Sequence, residues 1–168
     1  MFSNSFRFND AVSSGDIAAV EKLLVSGVSP DIKAIDGWPV LQKAVEGNHL
    51  ETVYILLNRG AAVDTKGPDG QTALMVASRH DYRDMIAWLL LYETNPFLRN
   101  NAGYSALMIA SAHGHLRSIG VLLEGQSRET SSEAVKNLCD ALSIAERREH
   151  PKAIKMINAV IAMLPETV

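Results

Sequence analysis

The sequence predicts an all-α protein built as a stack of paired helices. Similar residues recur every 33 positions, each unit has the apolar spacing of two short helices, and residues that tolerate a left-handed backbone lie between them. The anchor column is Phe8, Leu41, Leu74 and Leu107, followed three residues later by Ala11, Ala44, Ala77 and Ala110. Several independent columns in one phase indicate repeated structural units that pack on one another.

The second helix of each unit has the clearer pattern. Leu50, Val53, Leu56 and Leu57 are spaced as one face of an α-helix. Equivalent apolar residues recur in the other units: Val20, Leu23 and Leu24; Ile86, Leu89 and Leu90; Ile119, Leu122 and Leu123. The first helix is shorter, and its alanine column allows a neighbouring helix to approach closely.

Two columns are predicted to end the helices. The position between the two helices of a unit is occupied by Gly15, Asn48, Asp81 and Gly114. These residue types best tolerate the left-handed conformation that ends a helix sharply. Gly27 and Gly60 end the second helix in the same way, whereas Glu93 interrupts their column. The third unit is therefore expected to end differently, with Pro96 enforcing the stop.

The histidines of the segment SALMIASAHGHLRSIGVLLEG raise the question of a metal site. His113 and His115 flank a glycine there, His80 occupies the position of His113 one unit earlier, and His49 that of His115. A catalytic zinc needs about three protein ligands, whereas equivalent histidines in adjacent units lie about 10 Å apart. We interpret the histidines as helix punctuation or surface contacts and predict no metal site.

No arrangement typical of an enzyme stands out. Ser105 lacks the second glycine of a nucleophile elbow and lies where a helix-capping residue is expected. We predict no catalytic residue and no cofactor. An enzyme that uses the region of Arg79, His80 and His113 is a remote alternative.

Composition indicates a single globular domain over residues 1–168. The net charge is -3, and basic residues form no block of the kind that binds nucleic acid. The one cysteine, Cys139, excludes an internal disulfide and is expected to be buried. The longest apolar run, residues 85–92, is too short for membrane insertion. The N-terminus lacks a signal-peptide pattern, so we expect a cytoplasmic protein, or a periplasmic one if a signal has been removed.

The repeated columns resemble the ankyrin repeat. DGWPVLQKAVEGNHLETVYILLNRGAAVD, DGQTALMVAS and AGYSALMIASAHGHLRSIGVLL carry the family pattern of a turn glycine, an alanine-containing first helix and a leucine-rich second helix. The resemblance implies an ankyrin-repeat solenoid of stacked helix–turn–helix units with β-turn tips. Its expected parts are an N-terminal capping repeat (4–34), repeats at 35–67, 68–100 and 101–125, and a divergent C-terminal helical cap (126–168).

Departures from the family pattern affect the turns and the cap. The family histidine one place after the anchor leucine is replaced by Gln42, Met75 and Met108, so its turn-to-turn hydrogen bonds are expected to be absent. GQSRETSSEA (125–134) inserts a polar stretch where the next turn belongs. In the cap, Ser132 is the expected N-cap of one helix, and Pro151 is expected to open the last.

The resemblance implies a protein-binding surface on the concave face, made of the turn tips and the exposed ends of the first helices. Trp38 and Tyr104 are the expected aromatic anchors, because such side chains dominate protein interfaces, whereas Trp88 is expected to pack in a second helix. The positions implied for partner contact are Ile35, Asp36, Trp38, Glu46, Asp69, Gln71, Arg79, His80, Tyr104, His113, Arg147 and Arg148.

The function expected from this resemblance is non-enzymatic binding of one protein partner by a chain that is a monomer by itself. A compact chain favours masking a partner, as an enzyme inhibitor or immunity protein does. A bacterial effector or a scaffold that binds a host or regulatory protein is the alternative.

Overall fold

A computed structural model describes residues 4–126 and 131–164. Its helices are α1 (Asn4–Ser14), α2 (Ile17–Val25), α3 (Val40–Glu46), α4 (Leu50–Asn58), α5 (Ala73–Arg79), α6 (Arg83–Leu91), α7 (Ala106–His113), α8 (Leu116–Gln126), α9 (Ser132–Arg147) and α10 (Pro151–Ile161). Within these ranges the β-structure is limited to one isolated antiparallel bridge, between Lys33 and Pro39. The predicted all-α stack with short turns is confirmed.

The helices form two rows. The first helices of the pairs, α1, α3, α5, α7 and α9, each contact the next one along the row. The second helices lie behind them, with contacts between α2 and α4, α6 and α8, and α8 and α10. In the part of the chain that the structure describes, none of the helices is long and apolar enough to cross a membrane.

The core runs continuously between the two rows. The anchor residues Phe8, Leu74 and Leu107 are at most 1% exposed, and Ala77 and Ala110 are fully buried. An alanine carries no side chain beyond Cβ, so adjacent first helices can approach closely at this column. The same periodic residues that indicated the repeat therefore form the core.

Left-handed residues end the helices as the first turn column predicts. Their φ angles are 71° at Gly15, 56° at Asn48, 57° at Asp81 and 68° at Gly114, and Glu149 continues the column in the cap with 57°. The second turn column is Gly27, Gly60 and Glu93, and the expectation that Glu93 interrupts it was wrong. Glu93 takes a φ of 56°, the same left-handed region as Gly27 and Gly60, so the third unit ends like the others, without a proline-enforced stop.

Trp88 packs as expected, edge-on against Tyr54 with ring centroids 5.4 Å apart, and stays 39% exposed. Two further expectations are corrected. Cys139 is exposed and is not among the buried residues of α9. Ser131, not Ser132, caps α9 by accepting a hydrogen bond from the Ala134 amide at 3.2 Å.

Two expectations about the cap have different outcomes. Pro151 is the first residue of α10, as predicted, because its missing N–H is not needed there. The polar insertion at 125–134 falls partly on residues 127–130, which lie outside the described ranges.

Candidate functional site

A column of ring side chains ties each unit to the one before it. From the second unit onward, the residue after the left-handed turn between the two helices of a unit reaches back to a carbonyl oxygen near the end of the preceding first helix. The four hydrogen bonds are His49 to Ser13 (3.1 Å), Tyr82 to Glu46 (3.4 Å), His115 to Arg79 (3.0 Å) and His150 to Ala112 (3.2 Å). A carbonyl only accepts, so each ring donates. These bonds satisfy carbonyls that a helix end leaves unpaired.

The glycine of the His-Gly-His segment lies close to a ring of this column. A Cβ added at Gly114 would lie 2.9 Å from the His150 ring, and one added at Gly15 would lie 2.6 Å from the His49 ring. The helix-punctuation reading is confirmed for His115, whose ring hydrogen-bonds across units.

His80 and His113 take the surface position that precedes this column. Both are exposed, and each stacks on the ring two residues later, His80 on Tyr82 and His113 on His115, with centroids 5.3 Å apart. Partial desolvation of the exposed ring by its neighbours, and secondarily the charge of Arg79, lowers the pKa of His80 below its ordinary 6.5, so the neutral form predominates at pH 7.

No metal centre is formed by these histidines in the described ranges. Residues 4–126 and 131–164 contain no group of three or more His, Cys, Asp or Glu side chains placed to hold a metal ion. His113 is also engaged with its own helix, since its Nδ1 lies 2.9 Å from the Ile109 carbonyl oxygen. The absence of a metal site stays a prediction.

The turn tips are tied together at the opposite end of the first helices, contrary to one expectation. Gln42 donates from Nε2 to the carbonyl oxygens of Thr65 (2.8 Å) and Gln71 (2.7 Å). The glutamine therefore makes the turn-to-turn bonds that were expected to be lost with the family histidine. Further along, Asn101 donates from Nδ2 to the Pro68 carbonyl oxygen at 3.2 Å, and Lys66 donates to that of Arg99 at 2.8 Å.

The tip residues implied for partner contact have unequal exposure. Ile35 is 92% exposed, and Asp36 and Asp69 are also exposed. Trp38 is only partly buried and packs on the tip of the next unit. Gln71, also implied for partner contact, is only 7% exposed and therefore offers little surface to a partner.

Asp36 is held in place by two hydrogen bonds. Its carboxylate accepts from Lys43 Nζ at 2.7 Å and from the Trp38 backbone amide at 3.2 Å. The bond from Lys43 is the main reason that the pKa of Asp36 lies below its ordinary 3.8. Asp36 is therefore ionised at neutral pH.

The ends of the first helices carry most of the remaining implied residues. Glu46, His80, His113, Arg147 and Arg148 are exposed and Arg79 is partly exposed. The charge along this row changes sign, from Glu46 in the second unit to the arginines of the third unit and the cap. Ile35, Asp36, Trp38 and Asp69 lie at the tips instead, so the implied residues form one face but not one cluster.

Tyr104, Arg147 and Arg148 are brought together in one cleft. With Ile144 they line a cavity of about 240 Å³ between the third tip and the end of α9. Two contacts position α9 there: Arg99 pairs with Asp140 at 2.7 Å, and Ser105 donates to Asn137 Oδ1 at 2.6 Å. We call this cavity the Tyr104 cleft.

Sequence reasoning missed two residues of this face. Tyr82 stacks on His80. Because His49, Tyr82 and His115 are each 33 residues apart, the repeat pattern could have identified Tyr82. Ile144 lines the Tyr104 cleft, but no repeat column pointed to it, because the cap departs from the 33-residue period.

Comparison with known proteins agrees with this architecture. A family model for ankyrin repeats in three copies matches residues 8–100, which is more than half of the chain. A comparison with curated proteins gave no match. Ankyrin repeats are protein–protein interaction modules that are generally not enzymes. The matched segment and the stacked helix pairs together place the chain in the ankyrin repeat family.

Proposed function

We propose that the chain binds one protein partner through the face formed by its turn tips and the ends of its first helices, and that binding masks a surface of that partner. We call this surface of the chain the first-helix face; it corresponds to the concave face of ankyrin repeats. The observation that carries the proposal is its row of exposed, chemically varied side chains, which the packing of the core does not require.

The backbone under this face is held by hydrogen bonds on two sides. The ring column fixes the helix ends, and the bonds of Gln42, Lys66 and Asn101 fix the tips. A surface that is ordered before binding loses little conformational entropy when the partner docks. This supports the first-helix face, rather than a segment that orders on contact, as the binding surface.

The anchors proposed on this face come from successive units. Trp38, Arg79 and Tyr104 are each partly exposed, and their residue types contribute most of the energy in typical interfaces. Ile35, at 92% exposure, adds an apolar contact at the first tip. A partner that reaches all four would span three units and cover a continuous strip of its own surface, which supports masking.

Affinity of the native partner for single variants tests the surface. The partner is first captured with the wild-type chain and identified by mass spectrometry. Each of Trp38→Ala, Arg79→Ala and Tyr104→Ala should then weaken binding by about 2 kcal/mol, roughly 30-fold. Glu51→Ala, on an exposed position of α4, is the control and should bind like the wild type.

Melting temperatures accompany the affinities, because Trp38 and Tyr104 also pack against the core. Unchanged affinity in all three variants would exclude the first-helix face as the docking site. Masking is tested separately, by measuring the partner's own activity or its binding to a competitor with and without the chain. A partner that stays fully active in the complex would indicate a scaffold or effector instead.

A further inference from the structure

The Tyr104 cleft carries an inference about the chemistry of the partner. We propose that the cleft binds the carboxylate of an acidic side chain in an exposed acidic stretch of the partner. The inference rests on the proposed function, and it adds which part of the first-helix face selects the partner and by what charge.

The cleft combines donors with an apolar floor. Arg147 and Arg148 contribute guanidinium groups, Tyr104 a phenol and Ile144 an aliphatic side chain. Guanidinium groups present several N–H donors in a plane, which matches the two oxygens of a carboxylate. The volume of about 240 Å³ is suited to the end of one side chain rather than to a large ligand.

Neither arginine of the cleft pairs within 4.0 Å with an acidic side chain of residues 4–126 and 131–164. Asp140 lies about two helical turns earlier on α9, but it already pairs with Arg99 at 2.7 Å. The positive charge of the cleft is therefore available to a ligand.

Neighbouring glutamates do not cancel this charge inside the cleft. Successive residues of an α-helix are rotated by about 100°, so Arg147 points within about 60° of Ile144, whereas Glu146 points about 160° away. Glu149 lies in the left-handed turn after the helix, with a φ of 57°. Neither glutamate lines the cavity.

The rest of the row agrees with an acidic occupant. Arg79 lies two units earlier on the same row of helix ends, and its charge contributes to lowering the pKa of the adjacent His80. An acidic stretch that places one side chain in the cleft would continue along this half of the face. Asp36 and Glu46 belong to the second unit, so such a stretch would extend from the cleft toward Arg79 and not beyond it.

The test uses a blocked tetraglutamate peptide and a blocked tetraglutamine peptide as matched probes, added to the isotope-labelled chain and followed by nuclear magnetic resonance. The glutamate peptide should shift the resonances of Tyr104, Ile144, Arg147 and Arg148 saturably, and the glutamine peptide should not. Affinity should fall as salt rises to physiological strength, because the groups are exposed.

Two variants locate the effect. Replacing both arginines, Arg147→Gln with Arg148→Gln, should weaken glutamate binding by about 2- to 30-fold, since each exposed ion pair contributes about 0.2–1 kcal/mol. Arg83→Gln removes an exposed arginine from α6, outside the cleft, and should leave binding unchanged. Both arginines of the cleft are exposed, so melting temperatures should match the wild type.

Each other outcome overturns the inference. No shift in the cleft, or shifts that persist in the double variant, would show that the arginines do not bind a carboxylate. Saturation by a phosphoserine peptide but not by tetraglutamate would indicate a phosphate site instead.

The captured partner separates this inference from the proposed function. If Trp38→Ala and Arg79→Ala weaken partner binding while the double arginine variant does not, the proposed function stands and this inference fails. If the peptide binds in the cleft but none of the anchor variants affects the partner, the proposed function fails.

Discussion

Gln42, near the start of α3, holds the tip of the next unit, and replacing it with methionine tests how much this contact stabilises the stack. Methionine occupies the equivalent position in the next two units, at Met75 and Met108, where it is buried. Gln42→Met therefore keeps the length of the side chain and a compatible shape. It removes only the amide that donates to the carbonyl oxygens of Thr65 and Gln71.

The expected loss follows from the geometry. Gln42 is 2% exposed, and its two bonds are 2.8 and 2.7 Å long. Each such bond contributes about 0.5–1.5 kcal/mol to the free energy of unfolding. Gln42 Oε1 is buried and has no hydrogen-bond partner, so removing it offsets part of the loss. We expect Gln42→Met to cost about 1–2 kcal/mol, or about 2–8 °C in melting temperature for a chain of this size.

Thermal and urea unfolding followed by circular dichroism measure this change. Gln42→Glu provides the second variant, because it keeps the shape but places an oxygen where Nε2 donates. At neutral pH it should destabilise at least as much as Gln42→Met, since an acceptor would then face two carbonyl acceptors. A wild-type melting temperature for both variants would refute the role of Gln42 as the link between α3 and the next tip.

Three further predictions concern packing, charge and metal. Ala77→Leu should cost about 1–3 kcal/mol by overpacking the close approach of adjacent first helices, and an unchanged melting temperature would refute the assigned register. Burial raises the pKa of Asp81, but hydrogen bonds from Ser118 and Arg117 outweigh it, so the folded pKa lies below 3.8. Asp81→Asn should therefore be less stable than the wild type at pH 7, and the difference should shrink as pH falls below 3.8 through the folded pKa; a difference independent of pH would contradict this assignment. Zinc should not co-purify stoichiometrically through gel filtration, and zinc that is lost on His80→Ala or His113→Ala would prove the metal prediction wrong.

Exposure of the candidate site residues was predictable where it follows the repeat, and not where it depends on contacts with neighbouring side chains. Glu46, His80 and His113 are exposed at the helix ends as their columns indicated. Gln71 follows a tip glycine, as Trp38 and Tyr104 do, yet it is only 7% exposed whereas they are partly exposed. The register shows which face a residue is on, but its exposure depends on the path of the neighbouring turn.

The sequence by itself determined the all-α stack, its register and the residues that end most helices. A period that recurs in many positions constrains each unit to pack against copies of itself, so core columns and left-handed turns follow from local pattern and sterics. Glu93 shows the limit of that reasoning, because the tertiary structure holds a glutamate in a conformation that its residue type disfavours.

Only the tertiary structure decided the contacts between units. These contacts join residues about 23 to 44 positions apart: the ring column, the two hydrogen bonds of Gln42, and the cleft that Tyr104 lines with Arg147 and Arg148. No local preference specifies which donor reaches which carbonyl. That choice depends on how closely the alanine column lets adjacent first helices approach, and on where the cap, which departs from the repeat, places the end of α9.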